Sequence, residues 1–228
     1  MSNSSKKKPQ KFAVIGLGSF GFSLATELAK QGAEVLAVDM DDRIVQEISD
    51  KVSHAVAFNC TDEKLLEAHG VADMDLVVVA IGEDFGANVM VTRILKDMGL
   101  PVNSRATTER EARILKASGA DRVYTPERTQ GEREARSITF RGVESYVPLV
   151  GGIDFAHIRP SSAEYNKTLR DLEFRRAWGL NVAYIGRLTA EGRRVYRVPL
   201  PDDEIQASDH LFVLGTQADI ERYLAERE

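Results

Sequence analysis

The chain has one cysteine, Cys60, and one tryptophan, Trp178. A lone thiol cannot build an intramolecular disulfide framework, and such sparing use of cysteine fits a reducing compartment. With only 7 prolines and 17 glycines in 228 residues, no low-complexity segment stands out, and no internal repeat does either. Apolar runs are short, and none approaches the roughly twenty residues needed to span a bilayer. The start of the chain, with Lys6, Lys7, Lys8 and Lys11 among serines, lacks the apolar stretch of a secretory signal, so 1–10 reads as a disordered basic arm. Positive charge is not in excess: 30 Lys and Arg stand against 35 Asp and Glu, a net charge of −5. That balance argues against indiscriminate adhesion to nucleic acid. What remains is 43% hydrophobic, enough for one good core and a smaller companion domain.

Near the N-terminus stands Val14-Ile15-Gly16-Leu17-Gly18-Ser19-Phe20-Gly21, followed by a helical pattern through Ser23 to Lys30. Gly16 permits a tight turn, Gly18 lets backbone approach a phosphate, and Gly21 lets the helix pack on the strand. The free N–H groups of the first helical turn would then face an anion. The spacing alone is a weak signal, but a second strand, Glu34 to Val38, ends at Asp39, about twenty residues on. A carboxylate there suits a ribose diol and repels a 2′-phosphate.

Strand and helix patterns then alternate. The sequence predicts strands at Ala55–Phe58, Leu76–Ile81, Val102–Ala106 and Arg122–Thr125, with helices at Asp41–Ile48, Glu63–His69, Ala87–Met98 and Glu109–Ser118. Leu76–Ile81 lacks polar alternation, as a parallel strand buried on both faces should. This order implies an α/β class, a Rossmann-like doubly wound parallel sheet. Ligands of such sheets sit beyond the carboxyl ends of the strands. That rule gathers the glycine loop, Asp39, Asn59, Cys60, Thr61, Ala80, Gly82, Arg105 and Glu127 on one rim. Beyond about residue 130 the pattern changes. A charged crossover helix over 130–140 leads to strands near 145–150, 153–158, 182–188, 195–198 and 211–215, and a closing helix over 217–225. We read 11–143 as the nucleotide-binding domain with its crossover helix and 144–228 as a small α+β domain.

The order of motifs resembles the RCK family, which regulates the conductance of potassium channels and transporters. The glycine loop, Val38-Asp39, Asn59-Cys60-Thr61, Val79 to Gly82, Gly119 to Val123 and Pro126-Glu127 match its N-terminal (TrkA-N) domain. Leu169 to Leu172, Trp178-Gly179, Val182 to Ile185, Pro201 to Ile205 and Ser208 to Gly215 match its C-terminal (TrkA-C) domain. The resemblance implies a cytosolic regulatory subunit of a Ktr- or Trk-type potassium uptake system, peripheral on the inner face of the plasma membrane through an integral-membrane potassium-translocating partner. It implies a homo-oligomer, an octameric ring of dimers, whose shape follows the nucleotide held at the rim. Carried over by residue, Gly16, Gly18 and Gly21 would face the diphosphate, Asp39 the ribose, Asn59 to Thr61 the base, and Arg105 the phosphates. Ser19 and Phe20 complete the loop, and Ala80 and Gly82 the opposite wall. Glu127 matches an acid that helps bind a divalent or monovalent cation at a subunit interface. Many relatives carry arginine where this chain has Ser19. Losing that charge-assisted contact should weaken any preference for ATP over ADP, and leaves NAD(H) or AMP as alternatives. In the C-terminal domain, Asp171, Leu172 and Arg175 fall where some relatives contact cyclic di-AMP, although Arg170, Arg175 and Arg176 also read as a solvated helix face.

Two rival readings keep the glycine loop. An NAD(H)-dependent oxidoreductase needs a proton donor on a second domain. Here no tyrosine is followed four residues on by lysine, and no nucleophile elbow or His-Glu-x-x-His helix occurs. We therefore expect no enzyme. A channel-independent NAD or redox sensor acting on DNA would need a helix-turn-helix, and no stretch ahead of residue 12 holds one. The histidines, His54, His69, His157 and His210, show no metal-ligand spacing with one another or with Cys60. They read as surface or strand-end residues, Cys60 as a buried filler, and Phe20 and Trp178 as packing groups.

Overall fold

Six short apolar runs in the first half form one parallel sheet. The structure, a computed structural model, describes residues 10–139 and 143–226. The expected basic arm, save for Gln10, and Phe140 of the expected crossover helix therefore lie outside the described residues. The chain divides into two compact units, 1–129 and 130–228.

In the first unit the strands are β1 (Lys11–Ile15), β2 (Glu34–Asp39), β3 (His54–Ala57), β4 (Leu76–Val79), β5 (Val102–Arg105) and β6 (Arg122–Tyr124). Their order across the sheet is β3-β2-β1-β4-β5-β6, and every pairing is parallel. The helices between them are α1 (Ser19–Lys30), α2 (Asp42–Ile48), α3 (Glu63–Ala68), α4 (Phe85–Asp97) and α5 (Glu109–Ala117). The central strand is sealed on both faces: Ala13, Val14 and Ile15 are all 0% exposed, which is why the sequence shows no alternation there. Ala13 and Ile15 join a core with Leu66, Val91 and Leu95, while Val14 joins Ala25, Val45 and Ile48 on the opposite face. Each valine, leucine or isoleucine among them, fully buried, stabilises the fold by about 1.5–3 kcal/mol.

The doubly wound order reverses direction beside β1, between β1 and β4, and opens a crevice at the carboxyl ends of those strands. Polar ties hold its edges. Asn88 on α4 is buried and donates to the carbonyls of Ile81 (2.7 Å) and Arg105 (3.0 Å), fixing the exits of β4 and β5 together. The apolar run expected to 81 ends as a strand at Val79. The Ala80 N–H still makes the last rung to β1, on the Ile15 carbonyl (2.7 Å), and beyond it the loop leaves the sheet. α6 (Pro126–Thr139) starts four residues earlier than the sequence pattern implies. Proline is tolerated in a first turn because the missing N–H would have no helical partner there. The division between the two units falls inside this helix.

The second unit holds an antiparallel sheet in the order β10-β9-β11-β8-β7. Its strands are β7 (Val143–Pro148), β8 (Asp154–Ile158), β9 (Asn181–Leu188), β10 (Arg194–Arg197) and β11 (His210–Gly215). Short helices α7 (Leu169–Leu172) and α8 (Phe174–Trp178) and the closing α9 (Gln217–Ala225) complete it. One face of the sheet, carrying Ala156, Ile158, Ile185, Leu211 and Val213, is buried with Phe174, Ile220 and Tyr223. Trp178 packs at the edge of this core, edge-on to Tyr223 at 5.2 Å. The acids of 201–209 hold the loop ahead of β11. Asp209, fully buried, takes a two-pronged bond from Arg187 (2.9 and 2.7 Å), and Asp203 takes another from Arg197 (2.5 and 2.7 Å).

Candidate functional site

The crevice above β1 and β4 is a cavity of about 730 Å³ lined from six segments of the first unit. Gly16, Gly18, Ser19 and Phe20 form one wall, Asp39 and Asp41 a second, and Asn59, Cys60 and Thr61 a third. Ala80, Gly82, Glu83 and Asp84 face them, with Arg105 and Glu127 at the side. Segments more than a hundred residues apart thus share one rim, because every parallel strand delivers its exit to the same edge.

The glycine loop is fixed by the strand beside it. Gly16 donates to the Val38 carbonyl (2.8 Å), and Leu17 donates to Asp39 Oδ2 (2.6 Å). The other oxygen, Oδ1, accepts from the Asp41 N–H (2.9 Å). Asp39 therefore ties the loop to the end of β2 while lining the cavity. Gly16 has φ +91°, and a Cβ there would stand 2.8 Å from the Ile81 N, so backbone of the two strand exits meets at this residue. At Gly18 nothing lies within 4 Å of an added Cβ, so its surroundings are open. Gly21 is absent from the cavity lining; a Cβ there would fall 1.9 Å from the Gly16 carbonyl oxygen. Its place is beneath the loop, where its missing side chain lets α1 sit against the turn.

Helix α1 differs from its neighbours at its start. Asp41, Asp62, Asp84 and Thr108 cap α2, α3, α4 and α5 by accepting a backbone N–H. The α1 cap position is Gly18, which offers no side chain, and the first turn contains no acid. Its leading N–H groups and the positive end of its dipole therefore face the cavity without a protein carboxylate to answer them. Phe20 lines the cavity and also leans on Tyr124 at 6.1 Å between ring centres. Asn59 Oδ1 accepts from both the N–H (3.0 Å) and hydroxyl (2.7 Å) of Thr61, which shapes the third wall. Cys60 is buried, and burial pushes its thiol above the ordinary range, so it is protonated and unreactive near neutral pH.

Among the described residues, Arg105 is the one cationic side chain on a lining that also carries Asp39, Asp41, Glu83, Asp84 and Glu127. Its side chain is 16% exposed and pairs with Glu127, yet its Nε is buried with no acceptor among the described residues. Burial pushes the Glu127 carboxyl up, but the hydrogen bond and charge of Arg105 outweigh this and hold it below the usual range. An added Cβ at Gly82 would lie 1.9 Å from Arg105 Nη1, so the absence of a side chain at Gly82 makes the berth for the guanidinium. The sequence rim did not include Asp41, Glu83 or Asp84. A lone acid beside a strand exit carries no motif, and only the pattern of acids capping α2 and α4 marks two of them.

In the second unit, Arg175 lines a shallow depression of about 410 Å³ with Arg170, Arg176 and Pro201. Asp171 and Leu172 do not line it. Asp171 closes a capping box with Thr168, whose hydroxyl lies 2.6 Å away, and Leu172 packs against the core. The arginines there have partners in the chain: Arg170 with Asp202 (2.9 Å), Arg176 with Glu173 (3.3 Å) and Arg175 with Asn181 (3.4 Å). The histidines need a correction. The sequence reading separates all four, but antiparallel pairing of β8 with β11 brings His157 and His210 to 2.6 Å between ring nitrogens. Ladder contacts of this kind leave no spacing signal along the chain.

Fold and rim together define the class: a Rossmann-type ligand-binding domain followed by a small α+β domain. The TrkA-N domain model matches residues 12–126 and the TrkA-C domain model residues 158–226. The chain belongs to the RCK family of TrkA-N/TrkA-C proteins. It is 36% identical over 215 residues to the Ktr system potassium uptake protein C of Bacillus subtilis (strain 168), a match covering 94% of this chain and 96% of that protein. Among solved structures, the GsuK RCK domain aligns over 97% of this chain with a TM-score of 0.64 at 14% identity. The GsuK channel bound to NAD aligns over 96% with a TM-score of 0.62 at 15% identity. This chain spans about half of the former (48%) and 40% of the latter, and these likenesses concern the fold. Among the described residues, no helix is long and apolar enough to cross a membrane.

Proposed function

We propose that this chain is the regulatory, gating subunit of a potassium uptake system, and that it works by holding an adenine nucleotide in the β1–β4 crevice. The observation that carries the reading is the pairing, in one cavity, of an uncapped α1 start with the Asp39 carboxylate. The first matches a diphosphate and the second a ribose diol. Arg105, whose buried Nε has no acceptor among the described residues, supplies a further donor for phosphate. Near-full-length similarity to a Ktr potassium uptake protein supports a place for this chain on the cytoplasmic side of a membrane-embedded potassium-translocating partner. The proposed domains are 11–143 for the nucleotide and 144–228 for the smaller unit. Copies of the chain assemble into a ring, which we take as octameric, and nucleotide shifts that ring between shapes only as far as it binds one shape better.

The ligand is ADP or ATP, with NAD(H) or AMP as the competing occupants, and no reaction is performed on it. Ser19 brings no charge to a terminal phosphate, so ATP and ADP should bind within about tenfold of each other. Glu127, at the exposed end of the lining, is the side chain placed to share a cation with a neighbouring copy. Titration calorimetry with ATP, ADP, AMP and NADH tests the ligand, and growth of potassium-uptake mutants carrying the chain tests the role. A purified protein that bound none of these nucleotides, or that steadily consumed one, would overturn the reading.

A further inference from the structure

The sheet of the second unit has a face turned away from its core, and three ligand-type side chains converge on it. His157 on β8 lies directly across from Phe212 on β11, and His210 lies two residues before Phe212, so both imidazoles share that face. Glu144 reaches them from β7 through an irregularity. The β7–β8 register slips between Val143 and Ser145, leaving Glu144 as the extra residue. A bulge of this kind bends its strand locally and re-aims one side chain. Ligand atoms of the three residues all lie within 4.8 Å of one another.

We propose that Glu144, His157 and His210 form a binding site for a divalent transition-metal ion of the zinc class, which pins β7, β8 and β11 together. Glu144 Oε2 stands 3.3 Å from His157 Nε2 and 3.5 Å from His210 Nδ1. A tetrahedral ion with bonds of about 2.0–2.1 Å holds its ligand atoms roughly 3.3 Å apart, so these two edges already fit. The third edge, 2.6 Å between the imidazole nitrogens, must open by less than about 1 Å. The carboxylate is oriented for the task, because Oε1 is taken by Arg159 while Oε2 faces the imidazoles. A partner outside the ligand set that fixes a ligating group in this way is a common feature of metal sites. The rings are held as well: His157 stacks on Phe212 with centres 4.4 Å apart, and the two imidazole side chains are only 13% and 11% exposed. Burial pushes both imidazoles below the usual histidine range, toward the neutral form that ligates a metal. Two nitrogens and one oxygen favour zinc, cobalt or nickel over magnesium or calcium, which demand oxygen ligands. Water fills the remaining position.

The test uses the full chain, stripped with a chelator and titrated with zinc against a chromophoric competitor, with magnesium as the comparison ion. One zinc per chain is expected, Glu144→Gln should weaken it by about tenfold or more, and cobalt should give the intense visible bands of a four-coordinate site. His157→Gln and His210→Gln should remove binding, but loss of the ring stacked on Phe212 can also unfold the sheet. Histidine side-chain nitrogen resonances of the wild-type chain are therefore followed during the titration, with assignments from His54→Gln and His69→Gln. Perturbation confined to His157 and His210 supports the site. Perturbation of His54 or His69 instead, zinc binding no tighter than magnesium, or unchanged affinity in Glu144→Gln would each overturn it.

Discussion

Replacing Asp39 separates what this carboxylate does for the fold from what it does for a ligand. Its two oxygens accept from the N–H groups of Leu17 (2.6 Å) and Asp41 (2.9 Å), both on backbone that shapes the crevice. Leu17 is buried, 2% exposed, so its N–H cannot simply turn to bulk water. Removing an acceptor from such a donor costs about 1–3 kcal/mol. Asp39→Ala deletes both acceptors and should destabilise the first unit by about 2–4 kcal/mol. Asp39→Asn keeps one oxygen and turns an NH2 toward the other donor, so about 1–2 kcal/mol is expected. For a unit of this size that corresponds to a melting temperature lower by roughly 2–4 °C per kcal/mol. On the proposed reading the same carboxylate also holds a ribose diol, and losing that charge-assisted bond weakens nucleotide binding about tenfold to a hundredfold. The assay is a pair of measurements on each variant: chemical unfolding without nucleotide, and calorimetric titration with ADP. Asn should lose less stability than Ala yet nearly as much affinity, because a neutral amide is a poorer match for two hydroxyls. An Asp39→Asn protein that bound ADP as the wild type does would remove the ribose assignment. Equal stability of wild type and Asp39→Ala would remove the loop-tying role.

Three further outcomes follow from the same geometry. Gly82→Ala places a methyl where Arg105 Nη1 now sits, 1.9 Å from it, so the guanidinium must leave Glu127. Because the displaced group is the end of a flexible side chain, unfolding should change little, within about 0.5 kcal/mol, while ADP affinity falls about tenfold. Ser19→Arg should leave stability unchanged and favour ATP over ADP by about tenfold, read by calorimetry with both nucleotides. Asp203→Asn reports on pH: the Arg197 hydrogen bond outweighs burial and holds the Asp203 carboxyl below its ordinary value. A lowered folded-state pKa means the stabilisation is complete above the unfolded value of about 3.9 and is lost as pH falls through the folded one. The variant should therefore lose about 1–2 kcal/mol at pH 7, and its stability should converge on that of the wild type below roughly pH 4. A gap that persists in acid would assign the loss to packing rather than charge.

The sheet was legible because its central strands are buried on both faces, and a continuous apolar run such as Val77-Val78-Val79 has few other uses. The rim was legible for a topological reason: parallel strands share an exit edge, so Asp39, Asn59, Ala80 and Arg105 were bound to meet once the strands were placed. Strand ends were less so. Ala80 and Ile81 look like strand, but the Ala80 N–H makes the last rung to β1, on the Ile15 carbonyl, and the pairing with β5 ends at Val79 and Ser104. Double duty was hidden too. Nothing in the order of residues says that Asp39 ties down Leu17. Least visible was the meeting of Glu144, His157 and His210. It depends on an antiparallel register and one bulge, and neither leaves a fixed spacing along the chain.

Charge bears on how such a crevice could signal. Among the described residues, five carboxylates and one guanidinium line it, from which a nucleotide diphosphate, itself anionic, gains little net attraction. Four of the acids have partners in the chain: Asp39 holds the Leu17 and Asp41 N–H groups, Asp41 pairs with Arg43 at 2.8 Å and caps α2, Asp84 caps α4, and Glu127 pairs with Arg105. Even with Glu127 answered by Arg105 and Asp41 by Arg43, the acids Asp39, Glu83 and Asp84 leave the lining negative. The α1 start and Arg105 are thus a sparse set of donors for phosphate, and within one chain they make an unfinished site. On the proposed reading, the balance comes from a cation or from a second copy of the chain. A site complete in itself would hold nucleotide equally in every arrangement of copies and could shift none of them. A site that needs its neighbour binds best in the arrangement that supplies the missing charge, and that difference in affinity is what couples ligand to shape. Nucleotide affinity should accordingly rise with protein concentration across the range where copies assemble, and a flat dependence would break the coupling.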